Sequence, residues 1–147
     1  MFEMVKKENS WDMVWRGCID VPYEFYFNDI SLRKNGGFYA SHMYDRKITL
    51  NEWLFVSIIK SDTGFLVEWI ENRFKKIDGS DGSGPNGIAL DEDSNIIYIN
   101  YNQGDSITKF DLSLNKKLDK KFIEAPDNPY IDGNDIWITS LDFQPND

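Results

Sequence analysis

Apolar and polar residues alternate along most of this chain, in short runs broken by Asp, Asn and Gly. Ile96-Ile97-Tyr98-Ile99-Asn100 and Asp135-Ile136-Trp137-Ile138-Thr139 are rich in β-branched and aromatic residues, which suit a pleated, half-buried surface. Both fall within a pattern that occurs three times. The first copy is Asn28-Asp29-Ile30, the turn RKNGG, then Phe38-Tyr39-Ala40-Ser41. The second is Asn86-Gly87-Ile88-Ala89-Leu90, the turn DEDSN, then Ile96 to Asn100. The third is Asp127-Asn128-Pro129-Tyr130-Ile131, the turn DGN, then Asp135 to Thr139. An Asn or Asp opens an apolar strand, a polar turn follows, and a second strand returns, which predicts three hairpins.

More strands fit between them. Gly64 to Trp69 and Arg73 to Ile77 form one pair, and Ser106 to Leu112 with Lys120 to Ile123 a similar one. Their alternation suits half-exposed strands. The stretch 43–63 breaks the spacing and reads as an irregular or partly helical excursion. Residues 28–77 and 86–123 therefore each hold four strands in a row. Four-stranded antiparallel units repeated radially make a β-propeller. The expected fold is all-β: a half-blade at 1–20, blades at 28–77 and 86–123, and a half-blade at 127–147, about three blades per chain.

Composition narrows the function classes. The chain has 147 residues, 41% of them hydrophobic, enough for one globular domain with a core. Its net charge of -9 repels phosphate and argues against a nucleic-acid partner. Cys18 is the single cysteine, so no intrachain disulfide forms. No apolar run approaches the roughly 18 residues of a membrane span, and MFEMVKKENSW lacks a signal-peptide core. A cytoplasmic protein with no membrane partner is the expectation.

In a propeller the innermost strand of each blade begins at the mouth of the central channel. Asn28, Asn86 and Asn128 occupy that place in their repeats, with Asp127 beside the last. Amide oxygens and a carboxylate converging there suit Ca²⁺, which takes about 6–8 hard oxygen ligands, and leave other divalent cations open. No His or Cys cluster points to zinc. The competing reading is that Asn, Asp and Gly precede these strands only because they build turns.

Phe27-Asn28-Asp29-Ile30, Gly84-Pro85-Asn86-Gly87-Ile88 and Asp127-Asn128 resemble the calcium-binding motifs of the gluconolactonase, regucalcin (SMP-30), paraoxonase and strictosidine-synthase-like superfamily. NGIALDEDSNIIYI followed by SITKFDL is the most specific piece. The resemblance implies part of a six-bladed propeller that hydrolyses lactones or esters around a central Ca²⁺. Asn28, Asn86, Asp127 and Asn128 would be the ligands, and Asp29 would orient the site from behind. The family's first-blade Glu ligand and the early catalytic His of paraoxonases have no counterpart here. His42, the only histidine, lies where paraoxonases carry a His near the pocket rim. It and Asp127 are the catalytic candidates, with Tyr44 and Asp45 as pocket walls. The plainer reading of His42 is a packing residue, and that of Tyr44, Trp53 and Trp137 is blade core.

Three blades do not close a ring, since propellers have about 4 to 8. The hairpin at 127–140 of one copy and the strands at 2–19 of a second would make a composite blade, so a homodimer would have six. A fragment of a longer enzyme is the alternative. The expected function is a Ca²⁺-dependent hydrolase of lactones or esters. A non-catalytic module with a structural Ca²⁺ is the second reading, and strictosidine-synthase-like condensation a weaker third.

Overall fold

The structure is a computed structural model, and it describes residues 1–141. Residues 142–147 of the last expected half-blade lie outside the described residues. Twelve strands and one helix occur among the described residues. They are β1 (Phe2–Lys6), β2 (Trp11–Trp15), β3 (Phe27–Leu32), β4 (Phe38–His42), α1 (Leu50–Ile59), β5 (Phe65–Ile70), β6 (Arg73–Lys76), β7 (Pro85–Asp91), β8 (Ile96–Tyr101), β9 (Ser106–Asp111), β10 (Lys116–Phe122), β11 (Pro126–Asp132) and β12 (Asp135–Ser140). The class is all-β. β10 begins at Lys116 rather than Lys120. A register shift between Lys117 and Asp119 breaks the alternation that would have announced the earlier start.

Every pairing is antiparallel between sequence neighbours. Two four-stranded sheets, β3–β6 and β7–β10, stand with two two-stranded sheets, β1–β2 and β11–β12. Turns close through left-handed residues where the sequence offers Asn or Gly, as at Gly36, Asn95 and Gly133. The first strands of three sheets pack side by side: β3 against β7, and β7 against β11.

The core lies between the two four-stranded sheets. Tyr39, Leu66 and Ile77 from one meet Ile88, Ile97, Ile99, Tyr101 and Phe110 from the other. Each large apolar side chain buried there contributes about 1.5–3 kcal/mol. The opposite face of β7–β10 presents Tyr98 and Ile107 to Ile136 and Ile138 of β12 across a cavity of about 330 Å³. β3–β6, β7–β10 and β11–β12 thus follow one another in chain order, each packing on the next.

The excursion at 43–63 contains α1. Thr49 caps it, accepting the Glu52 N–H while the Glu52 carboxylate accepts the Thr49 N–H, a capping box. Lys60 ends it in a left-handed conformation. No α1 residue is buried, so the helix lies on the outside of the sheets. Among the described residues, no helix is long and apolar enough to cross a membrane.

Candidate metal centre

The three sequence-predicted dipeptides share one local structure. Phe27 pairs with His42 and Ile30 with Ala40, so Asn28 and Asp29 together face Ser41. Pro85 pairs with Tyr101 and Ile88 with Ile99, so Asn86 and Gly87 face Asn100. Pro126 pairs with Ser140 and Pro129 with Ile138, so Asp127 and Asn128 face Thr139. Each is a β-bulge, with two residues opposing one. Bulges re-aim side chains and occur often beside functional sites.

The bulges are tied to one another. The Ser41 hydroxyl accepts the Asp29 N–H at 3.1 Å and donates to the Asn86 carbonyl in the next sheet. The Asn100 amide donates to the Asp127 carbonyl at 2.8 Å, again in the next sheet. Asn102 donates to the Pro126 carbonyl at 3.2 Å. The Asp29 carboxylate accepts the Ile88 N–H at 2.8 Å. Gly87 is required by close approach: a Cβ there would overlap the Asp127 carbonyl oxygen and lie 2.5 Å from Pro129 Cδ. These bonds bring the Asn86 bulge against Asp29 and Ser41 on one side and Asp127 to Pro129 on the other.

Asn86 is 5% exposed and Asn100 fully buried. The Oδ1 atoms of both are buried without a hydrogen-bond partner among the described residues. An orphaned buried amide oxygen costs about 1–3 kcal/mol. Both residues belong to one bulge, and a hard cation bound by such oxygens would offset that cost. Asn128 is exposed, and its amide donates to the Asp127 carboxylate at 3.4 Å. Asn28 is exposed as well, with its amide 3.6 Å from the Met43 sulfur. Both Asp29 oxygens are engaged, one by Ile88 N–H and one by its neighbour Ile30 N–H at 2.8 Å. Asp127 is thus the carboxylate left to offer charge. Among the described residues no three His, Cys, Asp or Glu side chains gather around one point. The donor set is amide-rich, which fits Ca²⁺ and does not fit zinc.

Asn28, Tyr44 and Asp45 line one open hollow of about 390 Å³ with Tyr26, Met43 and Trp53. α1 contributes Trp53, so the excursion forms a wall of this hollow. Burial pushes the Tyr44 phenol above its ordinary value. His42 sits apart, 6% exposed. Its Nδ1 accepts the Tyr26 N–H at 2.9 Å, and Phe65 and Phe25 pack on it at 4.7 and 5.8 Å between ring centres. Burial holds its pKa below the usual imidazole value, against the pull of Asp45. The bond from Tyr26 needs an unprotonated Nδ1, so in the neutral ring Nε2 carries the proton and serves as a donor, not a base.

Ser41, Asn100 and Thr139, which face the three bulges, are not among the sequence-predicted site residues. Asn100 carried a signal: a polar side chain ending the apolar run Ile96 to Ile99 in a strand with buried neighbours. Ser41 and Thr139 are penultimate in their strands, as Asn100 is, but hydroxyls near strand ends are common. The chain matches no protein-family model, and no curated protein matches it.

Proposed function

We propose that this chain is a Ca²⁺-dependent hydrolase of lactones or esters, built as part of a β-propeller with the cation at its three bulges. The observation that carries the reading is the partnerless, buried Oδ1 of Asn86, set between the bulges of the neighbouring sheets. Asn86 and Asp127 would hold the ion, with Asn28 and Asn128 at the rim. A bound Ca²⁺ would polarise the substrate carbonyl and stabilise the developing oxyanion. The chain's own groups do the rest. Asp127, half-exposed, takes the proton from an attacking water. Tyr44, Asp45 and Trp53 hold the ester or lactone in the adjoining hollow. Asp29 keeps the bulges in register through Ile88.

One observation favours a second reading, a non-catalytic module stabilised by Ca²⁺. His42, the imidazole candidate for the base, is enclosed by Phe25 and Phe65 and held by Tyr26. Hydrolysis of simple lactones and aryl esters, assayed with Ca²⁺ and after chelation, separates the two. Turnover that a chelator abolishes and Ca²⁺ restores supports the hydrolase. A chelator-sensitive melting temperature without turnover supports the module. A melting temperature and turnover both indifferent to Ca²⁺ would remove the cation site from both.

A further inference from the structure

We propose that a second copy of this chain docks at both ends of the sheet series, with Thr139 of each copy set against Asn28 of the other. This rests on the propeller arrangement proposed above but not on hydrolysis. Two inter-sheet bonds repeat along the chain. Ser41, opposite the first bulge, donates to the carbonyl of Asn86, which opens the second. Asn100, opposite the second bulge, donates to the carbonyl of Asp127, which opens the third. Thr139 is opposite the third bulge. Among the described residues it has no following sheet, and its hydroxyl donates back to the Asn128 carbonyl at 3.3 Å. Asn28 opens the first bulge, and among the described residues no hydrogen bond from another sheet reaches its carbonyl. A bond from Thr139 to the Asn28 carbonyl of a second copy would continue the series.

The surfaces at the two ends match. Tyr130 and Trp137 are cross-strand partners, 67% and 65% exposed, on the face of β11–β12 turned away from β7–β10. The outer edge of β12 is unpaired. The β1–β2 hairpin carries Phe2, Met4, Trp11, Met13 and Trp15 on one face, each more than half exposed. A lone two-stranded hairpin is marginal in water, and exposed apolar patches of this kind mark interaction surfaces. Adding β1 to the β12 edge gives a four-stranded sheet like the other two. In those, the start of the second strand faces the end of the third, as Phe38 faces Trp69 and Ile96 faces Asp111. The same direction brings Asp135 to Lys6, an opposite-charge pair. Joining the like faces puts Trp137 and Tyr130 in line with Met4 and Met13. That apolar face would then cover the outer face of β3–β6, where Trp69 and Phe74 line a hollow of about 630 Å³ with Ile19 and Phe25.

One chain closing on itself would enclose three sheets, fewer than the roughly 4 to 8 of a propeller. Two chains supply two four-stranded sheets each, plus two composite ones. The contact is used twice and closes under twofold symmetry.

Sedimentation or light scattering at micromolar concentration should give twice the 17.2 kDa chain mass. Trp137→Asp and Thr139→Val alter side chains exposed in the single chain, so both should keep the far-ultraviolet circular dichroism. Trp137→Asp should fall to the single-chain mass, and Thr139→Val should dissociate at higher concentration than the parent. Asp135→Lys should weaken the pair and Lys6→Asp in the same chain restore it. A parent at the single-chain mass would overturn the proposal, as would a Trp137→Asp variant that stays paired. The Ca²⁺ response of melting on the same samples separates this from the cation site. A pair without it leaves the interface standing, and a single chain with it leaves the site standing.

Discussion

The Asp29 carboxylate accepts the Ile88 N–H at 2.8 Å, joining two sheets through a side chain rather than through a strand ladder. Its other oxygen accepts the Ile30 N–H. Asp29→Ala leaves a half-buried N–H without a partner. We expect it to lower unfolding stability by about 1–3 kcal/mol, with Asp29→Asn losing less because one carbonyl oxygen remains. Urea unfolding of the three proteins checks this, and an unchanged midpoint in Asp29→Ala would refute it.

Gly87 allows the second and third bulges to touch. Its missing side chain faces backbone, not a flexible side chain that could swing away. Gly87→Ala should therefore cost about 1–3 kcal/mol or more, as overpacking does. It should also reduce the rise of melting temperature with Ca²⁺, because Asp127 moves away from Asn86. Thermal melts with and without Ca²⁺ measure both effects.

Asn86→Leu should separate two contributions of one side chain. Without Ca²⁺ the orphaned Oδ1 is a burden, so an apolar side chain of similar size should leave stability unchanged or raise it. With Ca²⁺ at about 100 times its dissociation constant, the parent gains about 2.7 kcal/mol from binding, and the variant should gain none. Chelator and Ca²⁺ melts of the two proteins should cross over. Parallel behaviour would remove Asn86 from the ligand set.

His42 makes folding sensitive to acid. Burial lowers its folded-state pKa below the ordinary 6.5, so the unfolded chain binds the proton more readily. Its contribution is fully present above 6.5 and is lost as pH falls through 6.5 toward the lower folded value. Asp45 opposes this shift and Lys76 reinforces it. His42→Gln should show a smaller loss of stability than the parent between about pH 7 and pH 5. Equal slopes would show that His42 does not titrate on unfolding.

Much of the fold was legible because strands carry their period in the sequence. Ile96 to Asn100 and Asp135 to Thr139 announce strands by side-chain type, and DEDSN and DGN announce the turns between them. The repeat also placed Asn28, Asn86 and Asp127-Asn128 at one structural position. It did not reveal that the position is a bulge. A bulge is a mismatch between two strands, and one strand's residues do not encode it. Nor did it distinguish Asn86, which is buried, from Asn28 and Asn128, which are exposed. His42 followed a similar course: its strand end was visible, but its enclosure by Phe25 and Phe65 depends on residues 17 and 23 positions away.

The sequence by itself determined the all-β class, the three hairpins and the excursion that holds α1, because local periodicity and turn chemistry act over a few residues. Tertiary structure decided which polar groups meet. Ser41 reaches Asn86, Asn100 reaches Asp127, and the Oδ1 atoms of Asn86 and Asn100 are left buried without partners. Those relations join residues dozens of positions apart, and only the packing of sheet on sheet sets their distances.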